Sequence, residues 1–539
     1  MAGQKTVRTQ AHRQFPWKWA KLAAAVTLAA IAIGLPVAAH YTEPILRERV
    51  IETLSARFHA RVELPVFHVS VTHGFQAYGE GLKIFGKFDP NSHEPGIQPV
   101  IAVQEFRFRA DLLNLFHTPM RIHRVYLQGL ALNIPPRGQR DIDLHVKKIK
   151  NKIYVDEFVC EQASLIINTA RPDKLPLEFE IRQLTMHQIA PGEALHFDAT
   201  LINPKPVGEI QSSGFFGPWQ PEEPRDTPVK GEYSFSHADL STIRGIGGIL
   251  SSKGEYAGTL GGIIVEGKTE TPDFRIAISG HPVPLTTEFH AKVDGTSGDT
   301  YLQPVNATIL HSYLVARGSI VRVKDPNGHR VVLTVQVKPA RIEDLLQLGV
   351  RTDPPVMSGA AELTTKFDLS PGTEDLADRL RLNGNFSIVD AHFSNERVQD
   401  KVDALSLRSE GKPKEAHAAD PPDVLSDMKG VFRLSDGLLS FSQLRFDVPG
   451  TTVNLSGEYS LDGKQFDFHG KARMKAKLSE MTTGWKSVLL KPVDPFFSKH
   501  GAGTELPVKI TGTRSAPHFG LDFGHKDTEV RSKMEGPGQ

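Results

Sequence analysis

The sequence predicts a mainly β protein: an N-terminal transmembrane helix followed by a long curled antiparallel sheet with a few short helices. Three observations predict it. Short segments through most of the chain alternate apolar and polar residues with a period of two, as half-buried strands do. Turn signals separate them, and the chain holds 46 Gly and 37 Pro in 539 residues. One uncharged apolar run, Leu22 to Ala39, lies near the N-terminus.

Residues 1–21 form a basic, cytoplasmic N-terminus. Lys5, Arg8, Arg13, Lys18 and Lys21 precede the apolar run, and no acid occurs before Glu43. As a helix, residues 22–39 would span about 27 Å, close to a hydrocarbon core of ~30 Å. Trp17, Trp19 and Tyr41 flank this anchor as membrane-interface aromatics. The positive-inside rule then exports residues 41–539. A cleaved signal peptide is the alternative, because Val37-Ala38-Ala39 fits a cleavage pattern. Both readings export the rest of the chain. The single cysteine, Cys160, excludes an intramolecular disulfide and any Cys-rich zinc site. These features fit a bacterial inner-membrane protein, single-pass, with its bulk in the periplasm.

Residues 40–228 read as a first β region with a leading amphipathic helix and a proline-rich end. Residues 229–524 read as a second β region, and 525–539 as a disordered tail. The leading helix is predicted over 43–59, where Ile45, Leu46, Val50, Leu54 and Phe58 form an apolar stripe. Alternation predicts strands at 105–109, 141–146, 177–182, 274–278, 330–337 and 464–469. Turns are predicted at Asp294-Gly295, Asp325-Pro-Asn-Gly328, Asn383-Gly384, Asp436-Gly437 and Asp462-Gly463. Short helices are predicted at 111–116, 237–244, 340–348 and 478–490. The proline-rich stretch 203–228 and the polar stretch 411–423 read as loops. A Gly-Glu-Tyr echo starts at Gly231, Gly254 and Gly457 and fits a stack of similar strands.

No enzyme is expected. The chain has no HExxH or GxSxG pattern. Gly245-Ile-Gly247-Gly248 starts like a dinucleotide loop, but Leu250 stands where the third glycine belongs. Asp141, Asp143 and His145 share a strand face and read as solvated residues rather than metal ligands. Glu222, Glu223 and Asp226 read as loop carboxylates. No cofactor and no metal are expected. Lys plus Arg (63) and Asp plus Glu (62) leave a net charge of +1, without the strong pull on phosphate that nucleic-acid binding needs.

The positive signal is physical. Many strands carry an apolar face, and something must cover it. Either the faces close on each other, or a curled sheet keeps a concave apolar face that accepts acyl chains at ~0.8 kcal/mol per buried methylene. The candidate lipid-contacting face comprises Phe106, Phe108, Leu177, Phe179, Ile181, Phe274, Ile276, Ile278, Leu333 and Val335.

The order of local patterns resembles the AsmA family of bacterial envelope proteins. An N-terminal anchor runs into an amphipathic helix and then Ala60-Arg-Val-Glu-Leu64 and Gly81-Leu-Lys-Ile84. Leu112-Leu-Asn-Leu115 is followed by Ile122-His-Arg-Val-Tyr-Leu-Gln-Gly129. The stretches 283–295, 302–305, 359–363 and 384–388 fall in a zone similar to the AsmA-like C-terminal region. The resemblance, which extends to TamB-like and bridge-like lipid-transfer proteins, implies a repeating β-groove. It also implies non-enzymatic phospholipid transport between inner and outer membrane, with effects on outer-membrane composition. The implied partners are phospholipid acyl chains and the inner membrane, with an outer-membrane or periplasmic protein at the far end. A scaffold for outer-membrane proteins acting through strand edges is the alternative. A hydrolase using unrecognised carboxylates is the third reading.

Overall fold

The structure, a computed structural model, describes residues 43–522 apart from 57, 59, 71–74, 86–98, 111–119, 135–152, 169–175, 191, 205, 221–222, 278, 325–327, 352, 373, 418–422, 462–463, 484–490, 492–493, 495–502 and 514–515. The predicted anchor at 22–39, with Trp17, Trp19 and Tyr41, lies outside these residues. So do the strand at 141–146, the helix at 111–116, the Asp462-Gly463 turn and the tail at 525–539. Among the described residues no helix is long and apolar enough to cross a membrane, which says nothing of a β-barrel.

The chain is mainly β, with 25 strands among the described residues. It divides into two compact units, one running to Ile166 and including Ile181–Phe197, the other made of Ile167–Glu180 and the chain from Asp198. The first unit opens with helix α1, residues 43–56. Its strands are β1 (Arg61–Glu63), β2 (Val66–Ser70), β3 (Phe75–Phe85), β4 (Pro99–Ala110), β5 (Met120–Ile134) and β6 (Ile153–Ile167). β7 (Leu177–Ile189) and β8 (Leu195–Pro204) follow, each divided between the two units. β1 and β2 both pair with β3, which pairs with β4, and β4 with β5, all antiparallel. Val50 and Ile51 of α1 pack onto Leu64, Phe67, Val69 and Ala77. Glu43 accepts a hydrogen bond from the Val69 N–H (3.2 Å), tying the helix to β2.

The second unit is one long open antiparallel ladder. Its first strands are β9 (Val207–Phe216), β10 (Pro228–Asp239), β11 (Ile246–Gly247), β12 (Ile249–Thr259), β13 (Gly262–Ile276) and β14 (Val283–Val293). Next come β15 (Thr300–Ile309), β16 (Ser312–Val323), β17 (Gly328–Arg341), helix α2 (Ile342–Gly349) and β18 (Met357–Leu369). Then follow α3 (Leu376–Arg379), β19 (Leu380–Phe393), α4 (Glu396–Ser409), β20 (Ser426–Ser435) and β21 (Leu438–Val448). β22 (Thr451–Ser460), β23 (Phe466–Met474), β24 (Thr504–Thr513) and β25 (Ala516–Leu521) complete it. Each strand pairs with the next, except that β10 pairs with β12 and the short β11 pairs with β13.

Strands alternate in direction, so the sheet has two rims. The first rim, where β10, β13, β15, β17 and β19 end, carries the loop at 240–248, α2 and α4. The second rim carries mostly tight turns, together with α3. At Asp436-Gly437 both residues are left-handed (φ 54° and 73°), which matches a two-residue hairpin turn.

Bulges bend the strands near the first rim. Register shifts lie between Phe235 and Ala238, Thr271 and Phe274, Val337 and Ala340, and Ile388 and Ala391. Pro272 and Pro339 sit inside such bulges, and Pro304 in another on β15. Proline cannot donate to a ladder, so a central strand tolerates it only there. His237 and Asp390 take left-handed φ values of 53° and 55° at their bulges.

Several expectations change. The stretch 203–228 is not a continuous loop: Val207–Phe216 form β9, which pairs with β10 from Phe216↔Val229. The prolines end β8 and fill the β9–β10 connection, closed by Gly217 N–H to the Pro228 carbonyl (2.9 Å). Asn383-Gly384 is not a turn but lies inside β19, where a Cβ on Gly384 would stand 2.2 Å from the Thr364 carbonyl oxygen. The helix expected at 237–244 shrinks to one 3-10 turn at Leu240–Thr242. At 478–490, the described residues Leu478 to Glu480 form a turn, not a helix, and 484–490 are outside the described set. Helix α4 was not expected at all.

Candidate functional site: the apolar face of the sheet

Alternation along each strand sends apolar residues to one face and polar residues to the other. Cross-strand register then joins them into rows. One row runs Leu333, Phe367, Leu382, Leu434, Leu439 and Tyr459 across β17 to β22. The neighbours Thr334, Lys366, Arg381 and Arg433 are exposed on the other face. In this row only Leu434 is fully buried; the others are half-buried. The described strands β9 to β25 all belong to one ladder rather than to two packed sheets.

Coverage differs along each strand. Beneath α2, Val283, Ile309 and Leu348 form a closed cluster joined by Phe274 and Ile276. Beside it, Val337, Ala340, Ala361, Ile388 and Ala391 form another, joined by Val335 and by Ile342 and Leu345 of α2. Asp344 holds the helix down: its buried carboxylate accepts from His311 N–H (2.9 Å) and Ser312 Oγ (2.8 Å). α4 is fastened by polar groups. Asp403 accepts from Gln399 Nε2 (2.8 Å) and Val424 N–H (2.9 Å), and Ser406 Oγ donates to the Pro449 carbonyl (2.8 Å).

Aromatic rings pack against one another on the same face, Phe432 and Phe468 buried and Phe386 and Phe441 half-buried. Phe386 lies 6.3 Å from Phe432 and 6.2 Å from Phe441, and Phe441 lies 5.8 Å from Phe468. The Gly-Glu-Tyr echo belongs to the same pattern. Gly231 faces Tyr256 and Tyr233 faces Gly254 in register. A Cβ on Gly254 would meet Tyr233 Cε1 at 2.8 Å, so each ring needs the bare glycine opposite. The hydroxyls stay paired inside, Tyr256 with Ser212 (2.7 Å) and Tyr233 with Ser252 (3.0 Å). At Gly231 and Gly254 the echo therefore marks a reciprocal ring-on-glycine pair, and at Gly457 the glycine faces Phe468 instead.

The other face is charged and solvated. Lys268 pairs with Glu288 (2.6 Å), Lys338 with Glu362 (2.7 Å) and Arg330 with Asp368 (2.7 Å). The Arg330 hydrogen bond holds the Asp368 carboxyl below its ordinary range. Such exposed pairs contribute little to stability. A cavity of about 860 Å³ lies over β18 to β24, with Lys429, Arg445, Asn454 and His469 in its wall. A second, of about 710 Å³, lies over β2 to β7 in the first unit. There Arg107 sits 5.4 Å from the Tyr78 ring and 6.0 Å from that of Tyr126. A hydrogen bond to Glu80 pushes the Tyr78 hydroxyl up to about 12, and burial first and Glu161 second raise Tyr126. Both shifts move the phenols away from proton transfer near neutrality. Among the described residues no three His, Cys, Asp or Glu side chains gather as a metal site.

The predicted face residues divide among these settings. Phe106 and Phe108 are half-buried on β4 and pack in the cluster under α1, 6.5 Å from Phe67 and 5.6 Å from Phe75 respectively. Phe179 and Ile181 share a half-buried face of β7, and Leu177 begins that strand. Phe274, Ile276 and Val335 pack beneath α2, whereas Leu333 lies in the half-open row. Ile278 lies outside the described residues. Sequence reading missed Phe367, Phe386, Phe432 and Phe441. The available signal was a glycine directly across the strand pair, as at Gly384 opposite Phe432 and Gly430 opposite Phe386.

No protein-family model, no curated protein and no solved structure matches the chain.

Proposed function

We propose that the chain is a non-enzymatic lipid-handling protein of the bacterial envelope that takes phospholipid acyl chains onto the apolar face of its sheet. One observation carries this reading. Leu333, Phe367, Leu382, Leu439 and Tyr459, in register across β17 to β22, stay half-buried, and the described strands form one ladder rather than two packed sheets. Leaving such a surface to water is unfavourable at roughly 25 cal/mol per Å², so a hydrocarbon occupant is stabilised there. The polar face is charged and solvated. In this reading residues 22–39 anchor the chain in the inner membrane, as the resemblance to the AsmA family implies. Transport toward the outer membrane belongs to the same proposal.

The test is face-specific. A photo-crosslinking phenylalanine analogue at position 333 of the full chain should yield a phospholipid adduct in cells. The same analogue at position 334, on the polar face, should yield none. Equal labelling of both positions, or none at 333, overturns the reading.

A further inference from the structure

The strands of the second unit are long enough to keep its rims far apart in a flat sheet. β18 runs Met357–Leu369, and at ~3.3 Å per residue such a strand spans roughly 40 Å. Yet opposite rims touch. The loop at 240–248 stands on the first rim between β10 and β12, and α3 stands on the second rim between β18 and β19. Arg244 lies 3.7 Å from the Asp375 carboxylate. A Cβ on Gly245 would sit 2.5 Å from Leu376 Cβ, and Gly245 itself is left-handed (φ 96°). A second contact joins distant strands: Arg322, near the end of β16, donates to the Pro176 carbonyl ahead of β7 (2.7 Å). The sheet is therefore rolled until its rims meet. The offset of several strands is the stagger that tilted strands impose when a sheet closes laterally.

We infer that the loop at 240–248 and α3 form a latch across the mouth of the rolled sheet, and that opening it admits acyl chains sideways. The inference rests on the lipid reading and assigns that site its gate. The latch is built to open. Both charged partners are largely exposed, with side-chain exposures of 68% and 74%, so the pair is weak and screened by salt. Its apolar part is the Leu376 contact on Gly245. By contrast the ladder on either side is continuous and hydrogen-bonded. A separating rim thus leaves the ladder's hydrogen bonds intact, whereas access through the sheet would break many.

The experiment uses the full chain with Arg244→Cys and Asp375→Cys, joined by a short bifunctional maleimide. Cys160 is buried and does not compete. Uptake of a fluorescent phosphatidylethanolamine from phosphatidylglycerol vesicles is measured before and after cross-linking. The linked protein should form in high yield and take up no lipid, while the unlinked protein does. Separately, Asp375→Arg should speed uptake about two- to fivefold, the factor expected from an exposed ion pair, and Arg244→Asp added to it should restore the rate. Failure to cross-link shows that the rims do not meet and overturns the latch. Efficient cross-linking with unchanged uptake also overturns it, since lipid then travels along the sheet. No uptake by the unlinked protein overturns the lipid reading, and the gate with it.

Discussion

Strand β17 builds the same apolar face in two ways. Toward the first rim, Val337 and Ala340 are closed under α2 among Ala361, Ile388 and Ala391. A few residues earlier, Val331 and Leu333 point to the same side and remain half-buried. Strand, face and residue type are alike. Only the cover differs. Burial as a stable core and exposure as a binding surface are thus set by what lies above a strand, not by its own pattern.

That contrast can be broken by charge. Val337→Asp places an unpaired carboxylate at a site 3% exposed and should destabilise the second unit by about 4 kcal/mol or more. Leu333→Asp should cost only about 1 kcal/mol and leave the protein folded, while abolishing lipid binding. Urea titrations followed by circular dichroism compare the two. Similar losses would mean that both positions belong to one closed core.

Truncation sharpens it next. Leu348→Ala empties the cluster under α2 and should cost about 2–5 kcal/mol. Phe367→Ala removes more atoms from the half-buried row but should cost less, because solvent or lipid already reaches that site. The reverse order in thermal melts would place the closed core at Phe367 instead.

The tie that holds the cover has a smaller effect. Asp344→Ala leaves His311 N–H and Ser312 Oγ without their acceptor and should cost about 1–3 kcal/mol. Hydrogen exchange should rise in α2 and at its contact with β13, and remain unchanged in β22. Uniform exchange across the ladder would contradict a local cover.

The smallest effect is on pH, at the far end of the ladder. His469 is raised above its ordinary value by its hydrogen bond to Asp522 (2.7 Å), opposed by burial and aided by Asp467. A raised histidine stabilises the fold fully below the unfolded value near 6.5 and loses that contribution as pH climbs through the folded value. Exchange in β25 should therefore quicken from pH 5.5 to 8.5 beyond the intrinsic base-catalysed increase. His469→Gln should remove the excess. An excess that survives the substitution would assign it elsewhere.

Much of this architecture is legible residue by residue. The alternation Arg330 to Val337 places Val331, Leu333, Val335 and Val337 on one side, as β17 does. Ala340 to Leu348 carries the apolar spacing of α2, and Asp436-Gly437 makes the turn its residues favour. Helix α4 was hidden for a physical reason: its buried side mixes Val402 and Leu407 with the polar Gln399, Asp403, Ser406 and Ser409, so no continuous apolar stripe marks it. Asn383-Gly384 misled because the glycine serves close strand approach opposite Phe432, a need that appears only when β20 lies alongside. Among the predicted face residues, nothing local separates Val335, packed under α2, from Leu333, which is not.

By itself the sequence determined a mainly β chain, the two faces of its strands and several of the places where strands turn. These depend on side-chain alternation and turn chemistry, which act within a few residues. The tertiary structure decided which stretches of the apolar face are covered, and that the loop at 240–248 meets α3. Those outcomes arise from twist and bulges summed over many strands, so no single segment contains them.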